Sequence, residues 1–447
     1  MQKISLCTLS LIFLTQMIIA QESWSLDRCI NYAVNHNLSV KKLKYSEASG
    51  LEVKRQSYRN LLPSIVGNTN YSVRGGRSID PGNNTIVSNE IFFNNYSVNG
   101  SVDIFSGWRK INSIASAKFI YTALSQETLQ EKYLLAFRVM QQYYDVLYFK
   151  EAIAISEQQK EISEKNYESI KRQKEIGIKA GVDVYTAKST LVSDKLKVTQ
   201  AKNNLKLAKI QLKQEMNFEG TLSFIVDNVT FFDKAEKTNK SNDIAAVYGK
   251  AITFIPSIKA SEARMQSAKK ELAISRGALA PSLSFLAGYS TGYFETRKDD
   301  NGNIIPFSEQ LNINASNYIG LDLDIPIFQS WKRRTEVKQK KIALLQAEND
   351  LDIQKQELRN IIEQLLQNYD ASKSEYEQTL QQERERALSF EIAQKKYDNG
   401  LINVIDLNTE KNLYATAQNQ HLQVKLKLKL QEQTLAFYNG IKVFNIN

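Results

Sequence analysis

Residues 108–176 and 331–399 of this chain contain neither proline nor glycine, and the two stretches are equal in length. All six prolines, Pro63, Pro81, Pro256, Pro281, Pro306 and Pro326, fall outside them. Chain of that length without a breaker predicts two continuous helices, each reaching roughly 100 Å at ~1.5 Å rise per residue. No globular domain accommodates such helices. In the second stretch Val337, Leu344, Leu351, Leu358 and Leu365 recur every seven residues, with Ile361, Ile362, Leu366 and Tyr369 widening the stripe. A seven-residue period predicts left-handed supercoiling against neighbouring helices.

Each long helix is expected to end at a glycine, Gly177 or Gly400, after which a second helix returns over 182–216 or 403–438. Two further helical patterns cover 26–60 and 243–280. Two short helices stacked end to end therefore match the length of one long one. Trp108 and Trp331, Gly177 and Gly400, and Asp183 and Asp406 all share one offset in the numbering, which identifies an internal duplication. Pro63 and Pro281 fall short of that offset by five, placing five extra residues in the second strand pair.

Between the helices lie four segments of period two. Ile319, Leu321, Leu323, Ile325 and Ile327 alternate with Gly320, Asp322 and Asp324, and Leu283, Phe285, Ala287, Tyr289, Thr291 and Tyr293 alternate with small polar residues. The first repeat sets Tyr96, Val98, Val102 and Ile104 against Ser97, Asn99, Ser101 and Asp103, and its other strand carries Ile65, Thr69, Tyr71 and Val73 on one face. Strands of this length suit a tilted passage through an outer membrane, which takes ~9 to 11 residues. Four strands cannot close a barrel and lipid excludes open edges, so three chains sharing one twelve-stranded barrel are expected. A soluble sandwich lid on a coiled coil is the alternative, but it leaves the exposed Ile and Leu without a second apolar layer.

Trp108, Arg109 and Lys110, and Trp331, Lys332, Arg333 and Arg334, stand where strand gives way to helix. An aromatic ring followed by cations is an interfacial anchor. A core Trp beside a solvated charge run reads the same in one copy, and recurrence in both repeats favours the anchor. Residues 1–20 carry Lys3, an apolar run, and Ile18 and Ala20 at the −3 and −1 positions of a cleavage site, and so read as a secretory signal peptide. The run is short of the ~20 residues that a membrane anchor needs. Cys7 leaves with that signal, and Cys29 is expected to be a small core residue.

These features resemble the TolC-type outer-membrane efflux protein family over essentially the whole mature chain. The marks are the duplicated helix-strand-strand-helix-helix unit, Pro63 and Pro281 at strand starts, and the tips at 177–187 and 400–410. The resemblance implies a mostly α protein with membrane β: a homotrimer whose twelve-stranded β-barrel continues into a long periplasmic α-helical barrel. It implies an exit duct of a tripartite efflux or type I secretion system in the outer membrane of a Gram-negative bacterium, in contact with membrane lipid. Its partners would be a periplasmic adaptor (membrane fusion protein) and an inner-membrane pump of RND, ABC or MFS type. Adaptor docking would fall on Gly177, Val184, Gly400 and Leu407. The aperture would be gated by Tyr397 paired with Asp183, with Asp406 ringing the lumen. Both aspartates also suit the first turn of a helix, where the dipole favours acid. The family's latching arginine is Ile402 here, so Leu401, Ile402 and Ile405 are expected to form an apolar constriction. The N-terminal helix departs from the family in reading Asn37-Leu38 where Asn-Pro is common, and its second-repeat equivalent is Ile255-Pro256.

The expected segments are 1–20 signal peptide, 21–61 helical, 62–105 β-hairpin, 106–217 helical hairpin, 218–242 equatorial connector, 243–280 helical, 281–328 β-hairpin, 329–438 helical hairpin and 439–447 tail. Catalysis, metal and cofactor have no footing, since His36 and His421 stand singly and no phosphate-cradling glycine loop is present. Lys and Arg exceed Asp and Glu by 58 to 48, but the signs are interspersed along helices, which argues against nucleic acid. A periplasmic adaptor would carry one helical hairpin, and a trimeric autotransporter adhesin would carry four consecutive C-terminal strands. Neither fits two strand pairs with a complete helical hairpin between them.

Overall fold

The structure is a computed structural model that describes residues 23–79, 84–88, 90–220, 225–227 and 243–446. The signal peptide and most of the expected connector lie outside the described residues. In chain order the elements are α1 (Leu26–His36), α2 (Leu38–Arg59), β1 (Ser64–Arg74), β2 (Ser78–Ile79), β3 (Ile86–Val87), β4 (Ile91–Phe105), α3 (Arg109–Glu175) and α4 (Gly181–Met216). There follow α5 (Ile244–Phe254), α6 (Pro256–Gly277), β5 (Ser282–Phe294), α7 (Phe307–Ile313), β6 (Ser316–Asp324), α8 (Lys332–Asp398) and α9 (Val404–Tyr438). α3 and α8 are 67 residues each.

Packing groups these elements into two compact units, one of residues 45–126 and 259–353, the other of the remainder. The first unit holds a four-stranded antiparallel sheet in the order β1-β4-β5-β6. Its register brings the sequence-read faces together. Val102 lies opposite Phe285 and Phe285 opposite Leu321, while Leu283 faces Leu323 and Ala287 faces Ile319. Ile65 lies opposite Gly100, Gly100 opposite Ala287 and Ala287 opposite Ile319, so the apolar residues of all four strands gather on one face. The other face carries Asp103 opposite Ser284 and Ser284 opposite Asp322. One residue departs: a bulge after Asp103 puts Phe105 opposite Leu283, so Ile104 falls at the irregularity rather than in the apolar row. On the polar face the ring of Tyr318 lies over Gly288, where an added Cβ would come within 2.4 Å of Cε1, so a side chain there is excluded.

Two local features have no counterpart in the sequence reading. The connection after β5 contains α7, pinned because the buried Gln310 amide donates to Phe294 O at 3.0 Å and Ile305 O at 2.8 Å, and accepts from Phe294 N at 3.0 Å. The connection after β1 contains the short β2–β3 pair.

In the second unit, the helical segments expected as single helices are each broken, at Asn37 and at Ile255. Asn37 shows why. Its Nδ2 donates to Glu215 O at the end of α4 (2.9 Å), while its Oδ1 accepts from Ser39 N at the start of α2 (2.8 Å). Asn217, left-handed at φ 52°, closes α4 and accepts from Leu38 N at 3.2 Å. Two asparagines thus cap three helix ends and stack α1 and α2 on α4. Proline at position 38 would lack the N–H that this joint uses. Cys29 in α1 is fully buried, and burial pushes its thiol up to about 12.

Along α8 the buried stripe comprises Leu351, Leu358, Ile362, Leu365 and Leu366, whereas Ile361, expected to widen it, is exposed.

Candidate functional site

Both helical hairpins turn in the same way. At the first tip Gly177, φ 80°, donates its N–H to Lys174 O at 3.0 Å and Ile178 N donates to Gln173 O at 2.8 Å. At the second, Gly400, φ 71°, donates to Tyr397 O at 2.9 Å and Leu401 N to Lys396 O at 2.8 Å. These are paired Schellman caps, which require the left-handed conformation that glycine adopts without strain. The return helices start differently. Asn403 caps α9, its Oδ1 accepting from Ile405 N (2.8 Å) and Asp406 N (2.9 Å). Ala180 offers α4 no side-chain cap, and Asp183 Oδ2 instead accepts the Ala180 N–H at 3.3 Å.

Behind the turns, Ile170, Ala187, Ala393, Tyr397, Val404 and Leu407 form a buried cluster, with Val184 and Ile402 packed against it. The sequence-read residues therefore divide. Tyr397, Leu407, Val184 and Ile402 are brought together in or against this cluster; Gly177, Gly400 and Asp406 sit at the exposed turns. Asp183 is half-buried close by, but the expected bond to Tyr397 is not made within the chain. The Tyr397 hydroxyl is buried with no hydrogen-bond partner among the described residues. Burial raises the Tyr397 phenol, and the Asp183 and Asp398 carboxylates push it in the same direction. Lys179 Nζ sits 5.8 Å from the ring centroid. Outside the cluster Ile176, Ile178, Val182, Tyr185, Leu401 and Ile405 are exposed, a concentration of apolar side chains that marks an interaction surface.

In the sheet unit, Trp108 and Trp331 both have φ 62°, and their predecessors Gly107 and Ser330 are left-handed too. Bulky residues rarely adopt this conformation, and here it holds both rings outward, 67% and 61% exposed. Arg109 Nε donates to Ser106 O at 2.9 Å, Lys110 pairs with Asp103 at 3.1 Å, and the Arg334 guanidinium lies 4.8 Å over the Trp331 ring. Lys332 is exposed. Gly107 and Gly277 meet so closely that a Cβ on Gly107 would lie 2.1 Å from Gly277 O, which fixes where the first junction sits against α6.

Sequence reasoning missed one cluster. Lys411 on α9 is fully buried, donating to Asp194 Oδ2 on α4 and to Ser163 Oγ on α3 (2.5 Å). A signal was present: Val404, Leu407, Lys411 and Tyr414 follow the 3-4 spacing of a buried seam, so Lys411 occupies an inward position. No group of three or more His, Cys, Asp or Glu among the described residues is arranged to hold a metal. No described helix is long and apolar enough to cross a membrane.

An amphipathic antiparallel sheet, exposed tryptophans at its strand-to-helix junctions and paired helical hairpins with packed tips suit an outer-membrane channel of the efflux type. The profile of the outer membrane efflux protein family matches residues 30–217 and 247–440, once per repeat. The chain belongs to that family and resides in the outer membrane. No curated protein sequence matches it. Among solved structures, CusC superposes with TM-score 0.77 at 16% identity, covering 93% of this chain and 92% of its own. The Campylobacter jejuni CmeC outer membrane channel gives 0.75 at 15%, covering 93% and 85%. The open state of the Neisseria gonorrhoeae MtrE outer membrane channel gives 0.73 at 18%, covering 94% and 89%. At these identities the likeness establishes the TolC-type fold.

Proposed function

We propose that three copies of the chain close one twelve-stranded barrel and form a passive exit duct, fed by an inner-membrane pump of RND, ABC or MFS type through a periplasmic adaptor. The observation that carries this reading is the sheet: four strands whose apolar residues gather on one face, with β1 and β6 as its edges. Lipid does not tolerate such edges, and pairing β6 of one copy with β1 of the next removes them. The exposed apolar side chains around Gly177, Val184, Gly400 and Leu407 fit adaptor docking. Trp108, Arg109, Trp331 and Lys332 anchor the barrel at the lipid boundary. Tyr397, Asp183, Asp406 and Ile402 border the aperture, and closure rests on the apolar cluster that holds Tyr397 and Ile402. Residues 1–20 are removed as a signal, and 218–242 link the repeats. The chain performs no chemistry of its own, uses no cofactor and does not engage nucleic acid; its cargo is set by the pump. Cross-linking the detergent-extracted protein is expected to give three-chain species that conduct ions in planar bilayers. A stable membrane-inserted monomer would overturn the reading.

A further inference from the structure

The cluster of Ser163, Asp194 and Lys411 joins three helices from both repeats. Lys411 Nζ donates to Ser163 Oγ and Asp194 Oδ2, and Ser163 Oγ donates to that same carboxylate oxygen at 2.6 Å. Lys197, about half exposed, reaches the other oxygen at 3.1 Å and also donates to Asn412 Oδ1 at 3.2 Å. Burial alone would raise the Asp194 carboxyl, and the bonds from Lys411 and Ser163 outweigh it, so the acid is held low and ionised.

These contacts fix a stagger. Under the common offset of the two repeats, position 190 corresponds to 413 and position 194 to 417, yet Thr190 bonds Asn408 at 3.2 Å and Asp194 bonds Lys411. The bonded positions are 218 and 217 residues apart. Thr190 and Asn408 have short side chains, so their contact measures the displacement directly: five residues, about 8 Å at ~1.5 Å rise. α4 and α9 both run away from their tips, so the first tip projects beyond the second by about that distance. The apolar cluster nearer the tips gives way at this level to a polar layer, since the inward face of α3 here is Gln159, Ser163 and Asn166, all buried. A buried ion pair imposes a register, since every other alignment leaves a charge without its partner.

We propose that Lys411, with Asp194 and Ser163, is a positioning residue for the aperture: a register pin that sets the stagger of the two hairpins and confines their relative movement to the segments between pin and tips. This rests on the channel reading given above. The test maps register with cysteine pairs in the full-length protein, where the native Cys29 is buried. Thr190→Cys with Asn408→Cys is expected to form a disulfide on oxidation, and Thr190→Cys with Leu413→Cys, the unstaggered alignment, is not. Replacing the pair by apolar residues, Lys411→Met with Asp194→Leu, is expected to abolish that selectivity and raise single-channel conductance while trimer yield is kept. The exchange Lys411→Asp with Asp194→Lys is expected to restore both, which a merely space-filling role would not. Should the apolar variant fail to fold, the exchange variant alone decides, since retained selectivity supports the pin and lost selectivity overturns it. An apolar variant that cross-links and conducts like the parent overturns the pin. A parent that forms the 190–408 disulfide but never conducts refutes the channel reading instead.

Discussion

Arginine placed on the apolar face of the sheet tests both the register and the membrane assignment. Leu321 is opposite Phe285 near the middle of β6, whereas Leu323 is opposite Leu283 one residue from its end, and Asp322 between them points the other way, opposite Ser284. In a lipid-embedded barrel Arg costs ~2 to 4 kcal/mol at the midplane and ~0 to 1 near the interface. In the proposed trimer three copies multiply this, so Leu321→Arg is expected to cost ~6 to 12 kcal/mol per barrel, comparable with the whole usual margin of a folded protein, about 5 to 15 kcal/mol. Leu323→Arg is expected to cost less because it lies nearer the boundary. Asp322→Arg, on the hydrated face, should cost least. The assay is the amount of SDS-resistant trimer in isolated outer membranes, normalised to total expression. Equal yields for all three variants would refute the assignment of faces, and a greater loss for Leu323→Arg than for Leu321→Arg would refute the placement of the bilayer along the strand.

Three further outcomes follow from the helical unit. Tyr397→Phe keeps the ring in its cluster and removes a hydroxyl without a partner among the described residues, so conductance is expected to match the parent; Ile402→Ser puts a hydroxyl against that cluster and is expected to raise it, and single-channel recording of both variants decides between an apolar closure and a polar latch. Asn37→Ala removes bonds to two helix ends, an expected cost of about 2 kcal/mol, read as roughly thirtyfold faster amide hydrogen exchange at residues 38–41 and 215–217. His421, which contacts Thr379 Oγ1 at 3.3 Å and Glu383 at 4.0 Å, has its pKa lowered by burial, with Lys425 and Arg384 acting in the same sense. The unfolded chain then takes up the proton first, so stability is lost as pH falls through and below about 6.5, and His421→Gln should flatten thermal stability measured from about pH 7.5 to 5.5.

The parts legible in the sequence are those fixed by backbone chemistry. Breakers delimit three of the four long-helix ends: Gly107 and Gly177 each stand two residues outside α3 and Gly400 two beyond α8, whereas the start of α8, six residues after Pro326, is marked by the recurrence of Trp331. The tip glycines announce Schellman caps, and period-two alternation survives as the paired faces of the sheet. What the sequence hides depends on contacts between distant segments. The break at Asn37 exists because the end of α4, 178 residues away at Glu215, needs its amide. In isolation the segment 26–60 reads as one helix. α7 is seven residues without a usable period, and it is held by the buried Gln310 together with bonds from Thr291 to Leu311 O and from Asn314 to Gly292 O. Lys411 has the charge of a solvated residue although its spacing places it inward. The carboxylate that makes burial tolerable is 217 residues earlier in the chain, where no local pattern reveals it.

The duplication itself points to how the aperture works. Both repeats keep the turn, the glycine and the acid that follows it, yet the residues that bridge the hairpins have no counterparts. Tyr397 corresponds to Lys174, Ile402 to Lys179, Asp194 to Ala417 and Ser163 to Arg386. Lys188, the counterpart of the buried Lys411, is exposed, and Arg386 pairs with Glu410 on its own hairpin. Identical turns with unlike bridges yield two hairpins of the same architecture that cannot exchange places. In the trimer proposed above, three chains would carry six tips of two kinds, one set projecting about 8 Å beyond the other given the five-residue stagger. The closed end would then have threefold rather than sixfold character. A constriction built as proposed from the Tyr397 and Ile402 hairpin alone would be free to open while the other set of tips stays docked.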